Sequence, residues 1–262
     1  MMKKILQIKN APILFHRKVS SCARHISLSL PAIAGTAEPG QFLHLRISSG
    51  SPSPLLRRPF SINDVQGDRV SILYEVKGAG TKLLSKMLPG ETLDVIGPLG
   101  MGFDIDPQKR EHLLVAGGMG LAPMGLLARS LKGMKLKPEL LYGCRSSAEL
   151  VKPGITGCQI SSEDGSCGKK GLVTSLLLDR LRICRDPAVY ACGPWPMLKA
   201  VAGICHKNNI PCQVSLESFM ACGVGACQGC VVKNSDGNYV SVCDKGPVFN
   251  SRQIDWDQDC VI

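Results

Sequence analysis

The sequence lacks any long hydrophobic run. Among its 262 residues, no window approaches the roughly 18 consecutive apolar residues that indicate a membrane-spanning helix. The first ten residues, MMKKILQIKN, carry basic side chains but neither the apolar stretch nor the small-residue cleavage site of a signal peptide. We therefore expect a cytoplasmic protein with no membrane partner.

Aromatic residues are scarce, at 5% of the chain, and the basic residues form no long run. The formal net charge is +10, from 31 Lys and Arg against 21 Asp and Glu. Scattered basic residues without interleaved aromatics are typical of a solvated surface rather than of a nucleic-acid-binding face. We expect no nucleic-acid partner, whereas an acidic partner surface or an anionic cofactor stays open.

Cysteine, by contrast, is abundant, with 13 in the chain. The cytosol keeps thiols reduced, so a cluster of cysteines there indicates metal binding rather than disulfides. The stretch ESFMACGVGACQGCVV (217–232) places Cys222, Cys227 and Cys230 within nine positions, and Cys243 follows after twelve further residues. This group is the first candidate site.

The spacing C-x4-C-x2-C plus one distant cysteine is the ligand pattern of plant-type [2Fe–2S] clusters, and the intervening glycines permit the backbone conformations that such a loop needs. A zinc site is the alternative, but it usually presents two C-x2-C pairs, and this sequence has one. We predict a [2Fe–2S] cluster. The other nine cysteines show no such spacing, and we expect most of them to be small buried apolar residues: Cys22, Cys144, Cys158, Cys167, Cys184, Cys192, Cys205, Cys212 and Cys260.

The first hundred residues have the pattern of β-structure. In QFLHLRIS (41–48), Leu43, Leu45 and Ile47 fall on one face of a strand, and His44 and Arg46 fall on the other. The stretch VSILYEV alternates in the same way, and Pro-Gly turns separate the runs. A short helix is expected in TKLLSKM. Many short strands with few helices predict a small closed barrel, because closure removes exposed sheet edges.

After about residue 105 the pattern changes to alternating strands and helices. The continuous apolar run HLLVAGG (112–118) is typical of a strand covered on both faces. The alternation continues through LAPMGLLARSLK, ELLYGC, VTSLLLDRLR, AVYACGP, MLKAVAGICHK and CQVSLE. It predicts a parallel α/β sheet with crossover helices. We therefore expect a β-barrel domain (1–104), an α/β nucleotide-binding domain (105–216) and a small C-terminal cluster module (217–262).

Two turns of the α/β region are candidates for nucleotide binding. AGGMGLAPM (116–124) connects a buried strand to a helix start, and YACGPWPM (190–197) repeats that layout. Such turns let backbone N–H groups approach a pyrophosphate at the positive end of a helix. Neither turn has the usual GxGxxG pattern, and each alone is as typical of an ordinary tight connection. The predicted nucleotide contacts are Gly117, Gly118, Gly120, Cys192, Gly193 and Pro194.

The barrel carries its own anion-binding pattern in LLRRPFSI (55–62) and LYEVKGAGTKLL (73–84). Arg58 offers a fixed fork of donors suited to phosphate, and Ser61 supplies a small hydroxyl. Taken alone, the two adjacent arginines are more often surface charges than ligands.

The sequence R-P-F-S, then G-x-G-T, G-G-M-G-x-A-P and C-G-P, resembles the ferredoxin-reductase family of flavoproteins over residues 5–210. The resemblance implies that the barrel binds FAD and that the α/β domain receives NAD. It also implies the FAD contacts: Arg58, Pro59, Phe60 and Ser61, then Leu73, Tyr74 and Glu75 at the isoalloxazine ring, then Gly80 and Thr81 at the pyrophosphate.

LLRRPFSI, GPLGMGF, the cysteine stretch and VCDKGPVF closely resemble the electron-transfer subunits of NAD-dependent dihydroorotate dehydrogenases, over essentially the whole chain. The resemblance implies electron flow from the FMN of a catalytic partner subunit through the cluster and FAD to NAD⁺. It also implies a heterotetramer of two plus two and no dihydroorotate site in this chain. There is one departure from this family. Its usual pattern is the fourth cysteine, one residue and then Asp-Gly-Pro, whereas here Cys243 is followed by Asp244 and Lys245 before Gly-Pro. The fourth cysteine is therefore kept, but the aspartate stands one position earlier.

Two alternatives stay open at this point. A related redox subunit of the same fold feeds a hydrogenase or a ferredoxin:NADP⁺ oxidoreductase, although some such relatives have aspartate at the position of Cys222. A zinc-stabilised binding module is the alternative of another class. The preference for NAD over NADP comes from the resemblance alone, because Arg145, Ser146 and Ser147 follow a strand where they could hold a 2′-phosphate.

Overall fold

A computed structural model describes residues 5–47 and 53–258. The first part of the chain forms a closed six-stranded antiparallel barrel in the order β1-β2-β5-β4-β3-β6. Its elements are β1 (Leu6–Lys18), β2 (Ala23–Ser29), α1 (Pro31–Ala34), β3 (Phe42–Arg46), β4 (Arg58–Gln66), β5 (Arg69–Glu75), α2 (Ala79–Leu84) and β6 (Thr92–Leu99). The predicted barrel is confirmed.

Alternation along the strands explains the barrel's interior. Leu43 and Leu45 of β3 are fully buried, and the register places Leu43 opposite Phe60 of β4. These side chains meet Ile62 and Ile72 in one apolar core inside the barrel. Burial of alternate residues therefore fixes the strand register, since a slip by one position would turn this set outward.

The second part of the chain is a seven-stranded sheet in the order β10-β9-β8-β7-β11-β12-β15. Its elements are β7 (Glu111–Gly117), α3 (Met124–Gly133), β8 (Pro138–Cys144), β9 (Gln159–Ser162), β10 (Lys169–Lys170), α4 (Val173–Leu181), β11 (Pro187–Cys192), α5 (Trp195–Lys207), β12 (Cys212–Ser215) and, after a separate hairpin of β13 (Val231–Lys233) and β14 (Tyr239–Ser241), β15 (Val248–Asn250). Short 3-10 helices cover Gly118–Leu121 and Ser251–Gln253.

The pairs from β10 to β12 are all parallel, as the alternating pattern predicts. The last strand differs, because β15 pairs antiparallel with β12 at the sheet edge. The segment after the cysteine stretch thus returns to the α/β sheet. The boundaries at 104/105 and 216/217 fall in connecting segments, and the division into three domains stays a prediction.

Contacts between β4 and the start of α3 join the barrel to the α/β part. Arg129 pairs with Asp64, with 2.7 Å between Nη2 and Oδ2. The Asn63 side-chain amide donates to the Ala122 carbonyl oxygen at 2.8 Å. A Cβ at Gly125 would lie 2.4 Å from the Asn63 carbonyl oxygen, so only glycine permits this approach. The helix that follows the first glycine turn is therefore held directly against the barrel.

The outer face of β3 carries the cysteine module. Phe42 points away from the barrel interior and packs in a core with Cys230, Val242, Cys243 and Phe249. This strand thus has two buried faces, one inside the barrel and one beneath the module. Among the described residues, no helix is long and apolar enough to cross a membrane.

Candidate functional site

The cysteine stretch forms a loop of turns between β12 and β13 in which backbone amides point at sulfur atoms. The amide of Gly225 donates to Cys243 Sγ at 3.1 Å. The Cys227 amide donates to Cys222 Sγ at 3.4 Å, and the Cys243 amide donates to Cys230 Sγ at 3.4 Å. Cys230 and Cys243 are buried, Cys222 is partly buried, and Cys227 is exposed. All four predicted ligands therefore lie in one local structure.

The four thiols associate as two pairs. The side chain of Cys222 interacts with that of Cys227, and the side chain of Cys243 interacts with that of Cys230. Within residues 5–47 and 53–258, no three His, Cys, Asp or Glu side chains form a group that could hold a metal ion. In a [2Fe–2S] cluster with four cysteine ligands, each iron is bound by two thiolates of its own, and the two pairs agree with that ligand set.

The electrostatics differ between the two ends of this loop. Burial raises the pKa of Cys222, but the amides of Val224, Cys227 and Ala226 and the Cys227 thiol interact with its sulfur and bring the pKa down to about 6. Burial raises the pKa of Cys243 to about 12. Because the thiolate is the form that binds metal, the amides around Cys222 favour the state that a metal needs, whereas burial opposes it at Cys243.

Two glycines direct the backbone of the loop. Gly223 has φ +71° and Gly225 has φ +77°, in the left-handed region that side chains rarely adopt. A Cβ at Gly225 would lie 3.0 Å from Cβ of Asp244, so Asp244 packs against the loop. Its carboxylate is 3.1 Å from Lys245 Nζ. The shifted aspartate, which departs from the family pattern, therefore still lies beside the cysteines.

His44 is a residue that the sequence reasoning did not single out. A Cβ at Gly223 would lie 2.5 Å from His44 Nδ1, so the loop rests on the imidazole ring. The ring is fully buried, and burial, assisted by the Arg57 guanidinium, lowers its pKa to about 4. The alternation in β3 placed His44 on the face opposite the barrel core, and nothing in the sequence indicated that the cysteine loop covers that face.

The two glycine turns meet at the carboxyl ends of neighbouring parallel strands. A Cβ at Gly120 would lie 2.0 Å from the Cys192 carbonyl oxygen. A Cβ at Gly193 would lie 3.0 Å from the Gly117 amide nitrogen, and a Cβ at Gly117 would lie 2.5 Å from Met197 Sδ. The two backbones are therefore in direct contact, as the sequence predicts for two turns at one crevice.

Gly118 and Pro194 lie at the open side of this contact. A Cβ at Gly118 would meet no atom within 4 Å, and its φ is +52°. Pro194 is exposed just before α5. The predicted nucleotide residues are thus brought together with free space in front of them.

In the barrel, Arg58 lies over the start of α2. A Cβ at Gly80 would lie 3.5 Å from Arg58 Nε. Arg58 Nη1 donates to the Leu56 carbonyl oxygen at 2.8 Å, and in the described part of the chain no carboxylate pairs with it. Arg57 differs, because its guanidinium pairs with Asp94. Of the two arginines, Arg58 is the one whose charge is available to a phosphate.

Thr81 completes the start of α2. Its hydroxyl oxygen accepts from the Lys77 amide at 2.9 Å and from the Gly78 amide at 3.2 Å. The hydroxyl in turn donates to the Gly78 carbonyl oxygen. Thr81 therefore shapes the turn that places Gly80 beside Arg58.

The remaining predicted flavin residues point in different directions. Phe60 and Tyr74 face the barrel interior with ring centroids 5.6 Å apart, and the Tyr74 hydroxyl is 2.8 Å from His16 Nε2. Leu73 faces the opposite way and packs in the core that includes α3. Pro59 and Ser61, on the outer face of β4, are paired with His44 and Phe42 of β3. The structure therefore brings Pro59 and Ser61 to the face that carries the cysteine module.

Glu217, between β12 and the cysteine loop, lies within electrostatic reach of both the barrel and the α/β part. Part of Glu217 is exposed to solvent. Desolvation by the surrounding protein nevertheless raises the pKa of its carboxyl group. The charge of Lys77 lowers this pKa, and the charge of Glu75 raises it further. Burial, and then the charge of Glu217, raises the pKa of Cys192. The sequence reasoning missed Glu217, and its only signal is its position directly between a buried strand and the cysteine loop.

Of the nine other cysteines, Cys144, Cys192, Cys205 and Cys212 are buried, and Cys22, Cys158, Cys167 and Cys184 are partly buried. The expectation of buried apolar residues is met by the first group and only partly by the second. Cys260 lies outside the described residues.

Comparison with known proteins decides the family. Residues 217–255 match the family described as the iron–sulfur cluster binding domain of dihydroorotate dehydrogenase B. Over 261 residues, the chain is 34% identical to the dihydroorotate dehydrogenase B (NAD(+)) electron transfer subunit of Desulforamulus reducens, covering 96% of this chain and 99% of that protein. The chain belongs to this family. The subunit of the same name from Caldanaerobacter subterraneus is 43% identical over 221 residues, covering 82% of this chain and 86% of that one.

Solved structures agree with this membership. One chain of an NADH-dependent reduced ferredoxin–NADP oxidoreductase, studied for flavin-based electron bifurcation, has a TM-score of 0.84 and 27% identity, covering 98% of this chain and 92% of that chain. A ferredoxin NADP⁺ reductase from Neisseria gonorrhoeae with bound FAD and NADP has a TM-score of 0.63 and 15% identity, covering 78% and 92%, and it shows the fold alone. The predicted ferredoxin-reductase fold with a C-terminal iron–sulfur module is confirmed.

Proposed function

We propose that this chain is the electron-transfer subunit of a two-component dihydroorotate dehydrogenase of pyrimidine biosynthesis. In this role it passes electrons from the FMN of a catalytic subunit, through a [2Fe–2S] cluster and FAD, to NAD⁺. The observation that carries the proposal is that the paired cysteines rest on the barrel strand that neighbours the R-P-F-S strand. Family membership supports the same assignment.

The cysteine loop fits a two-iron cluster in its donor set. Cys222 and Cys227 would bind one iron, and Cys230 and Cys243 the other, in agreement with the two thiol pairs. Amides that already point at the sulfurs of Cys222, Cys230 and Cys243 would stabilise the thiolates and tune the reduction potential.

The barrel fits FAD through Arg58 beside Gly80, where a guanidinium without a carboxylate partner would bind the pyrophosphate. Pro59, Ser61, Glu75 and Thr81 complete the proposed set, whereas Phe60 and Tyr74, in the barrel interior, and Leu73, packed in the core that includes α3, would support the site from beneath. A bound flavin exchanges two electrons with a nicotinamide and one electron with an iron–sulfur cluster, and the protein supplies binding and orientation.

The glycine turns would receive NAD, because their backbones meet with open space in front of Gly118. Arg145, after β8, makes a bidentate pair with Glu149, at 2.6 Å for Nη2 and 3.0 Å for Nε. An exposed pair of this kind is weak, so the preference for NAD over NADP rests on the relatives, which are named as NAD(+) subunits. Glu217 and Cys192 would lie where the nicotinamide meets the flavin residue Glu75.

The proposed partner is an FMN-containing catalytic subunit in a heterotetramer of two plus two, in the cytoplasm. We propose that this chain has no dihydroorotate site of its own. The exposed Cys227, with Phe219 at 70% exposure, leaves the tip of the cysteine loop accessible to that partner.

Co-purification from the native host tests the proposal. We expect this chain to carry FAD and two irons, and to be recovered with a flavoprotein that reduces NAD⁺ with dihydroorotate. Absorption bands of flavin and of an iron–sulfur cluster should both be present. A colourless protein that contains zinc would refute the cluster assignment, and recovery without any dihydroorotate-oxidising subunit would refute the partner.

A second candidate is a subunit of a ferredoxin–NADP oxidoreductase. The observation that favours it is the 27% identity and TM-score of 0.84 to a chain of such an enzyme. The same preparation distinguishes the two functions: ferredoxin-dependent reduction of NADP⁺ without dihydroorotate oxidation would favour the second.

A further inference from the structure

His44 is a buried polar side chain for which the fold alone gives no reason. Its side chain is 0% exposed, and neither ring nitrogen has a hydrogen-bond partner of good geometry among the described residues. Leaving a buried polar group unpaired costs about 1–3 kcal/mol. An apolar residue would fill this position in β3 without that cost, so the imidazole requires a specific explanation.

The position of the ring supplies one. His44 is directly opposite Pro59 of β4, in the R-P-F-S stretch. On its other side, the ring contacts the cysteine loop at Gly223, where a Cβ would lie 2.5 Å from Nδ1, 3.0 Å from Cε1 and 3.2 Å from Cγ. The imidazole therefore lies between the proposed flavin strand and the proposed cluster loop.

The neighbours of the ring determine what it can bond. A neutral imidazole has one N–H donor and one acceptor nitrogen. The backbone carbonyls of Cys222 and Arg57 are both near enough to act on the ring as acceptors, although neither bond is of good geometry. Arg57 lies near the His44 backbone, where its Nη1 donates to the His44 carbonyl oxygen at 3.4 Å. Of these two acceptors, the one that belongs to the cysteine loop is at its first cysteine.

We propose that His44 is a positioning residue that donates its ring N–H to the Cys222 end of the cysteine loop and holds the cluster against the flavin strand. This inference rests on the proposed function, since it requires the cluster. Outer hydrogen bonds orient metal ligands and tune their electronic properties. An N–H dipole beside a ligand stabilises the added negative charge of the reduced cluster, so its loss makes reduction less favourable.

A redox titration followed by electron paramagnetic resonance tests the proposal on the whole purified complex. His44→Phe keeps a ring of similar size but has no donor, whereas His44→Gln keeps an N–H. In His44→Phe we expect the reduced-to-oxidised ratio of the cluster at a fixed potential to fall about tenfold, a shift of ~59 mV for one electron. We expect a changed resonance spectrum as well. His44→Gln should recover most of both properties.

The control is His112→Phe, in β7. His112 is also buried, at 1% exposure, and also has an unpartnered Nε2, but it stacks on Tyr190 in the α/β sheet. Its replacement should leave the cluster potential and spectrum unchanged. Iron and FAD content are measured for every variant.

The outcomes separate this inference from the proposed function. Loss of the cluster in His44→Phe but not in His44→Gln would also support the donor role. The inference is overturned if His44→Phe has the wild-type potential and spectrum, or if His44→Gln is no better than His44→Phe in potential or iron retention. If the wild-type complex has no iron–sulfur cluster, the proposed function fails instead.

Discussion

The cysteine loop and the pair of glycine turns are both rich in glycine, but they use it differently. Where the two turns meet, glycine provides space: a Cβ at Gly120 would overlap backbone atoms of Cys192, and a left-handed φ occurs at Gly118, on the open side. In the loop, glycine provides direction: Gly223 and Gly225 adopt left-handed φ values, and their hypothetical Cβ atoms meet only side chains. Close packing of two backbones makes a rigid crevice, whereas positive φ angles turn successive amides toward sulfur. In the proposed function, the same residue type would thus serve a dinucleotide in one region and a metal cluster in the other.

The largest expected effect is loss of the cluster in Cys227→Ser. Cys227 is exposed and its amide donates to Cys222, so its replacement removes one ligand without opening a core. We expect no iron–sulfur absorption, while FAD stays bound and NADH still reduces it. Cys184→Ser, a partly buried cysteine outside the spacing, should keep the cluster. Simultaneous loss of FAD in Cys227→Ser would show that the loop is part of the barrel fold and would remove the contrast between the two regions.

The next effect is destabilisation by Gly120→Ala. Its Cβ would lie 2.0 Å from a backbone oxygen, and overpacking against backbone should cost about 3 kcal/mol or more of the free energy of unfolding. Urea unfolding measures it. The matched control is Gly203→Ala in α5, where a Cβ meets nothing within 4 Å and where we expect a gain of about 0.4–1 kcal/mol. Equal stability of the two variants would contradict the role of Gly120 as a spacer.

A smaller effect, on FAD binding, is expected for Arg58→Ala, a change in the barrel outside both glycine-rich regions. Loss of a charge-assisted contact of about 1.5–3 kcal/mol corresponds to FAD binding weakened by roughly 10–150-fold. Fluorescence titration of flavin-free protein with FAD measures this change. The control is Arg182→Ala, whose side chain is 78% exposed and whose replacement should leave FAD affinity unchanged. An unchanged affinity in Arg58→Ala would remove this residue from the proposed site.

The smallest effect is expected for the Arg129–Asp64 ion pair, which joins the barrel to the α/β part. Although burial acts in the opposite direction, the Arg129 guanidinium and the Gln66 amide hold the pKa of Asp64 below its usual 3.8. A depressed carboxyl pKa contributes stability above the unfolded value and loses it as pH falls through the folded value. Because Arg129 is half exposed, Asp64→Asn should cost only about 0.2–1 kcal/mol at neutral pH. Unfolding measured down to pH 3 should show the difference from wild type shrinking; a difference that grows would refute the ion pair.

Much of this fold follows from local patterns in the sequence. Alternation predicted β3 and β5, and continuous apolar runs predicted β7 and β11, since burial on one face or two decides those patterns. The antiparallel pairing of β15 could not be predicted, because a strand of three residues carries no sequence signal for its direction. The four cysteines that the structure brings into one loop were predicted as ligands from their spacing, and that role stays a prediction. His44 and Glu217 were not found, because their roles come from contacts between segments that are distant in the sequence.

The return of β15 to the α/β sheet has a consequence for how the chain works. The cysteine loop leaves that sheet after β12 and re-enters it beside β12, through the β12–β15 pairing. Both ends of the loop are thus held in the same sheet. A redox centre in this loop cannot move between donor and acceptor, as a centre on a flexible tether does, unless β15 first detaches from β12. Because the loop also rests on His44 of the barrel strand β3, its separation from the barrel is set when the chain folds, and we expect variation in electron-transfer rate to come from energetics or from docking of the partner.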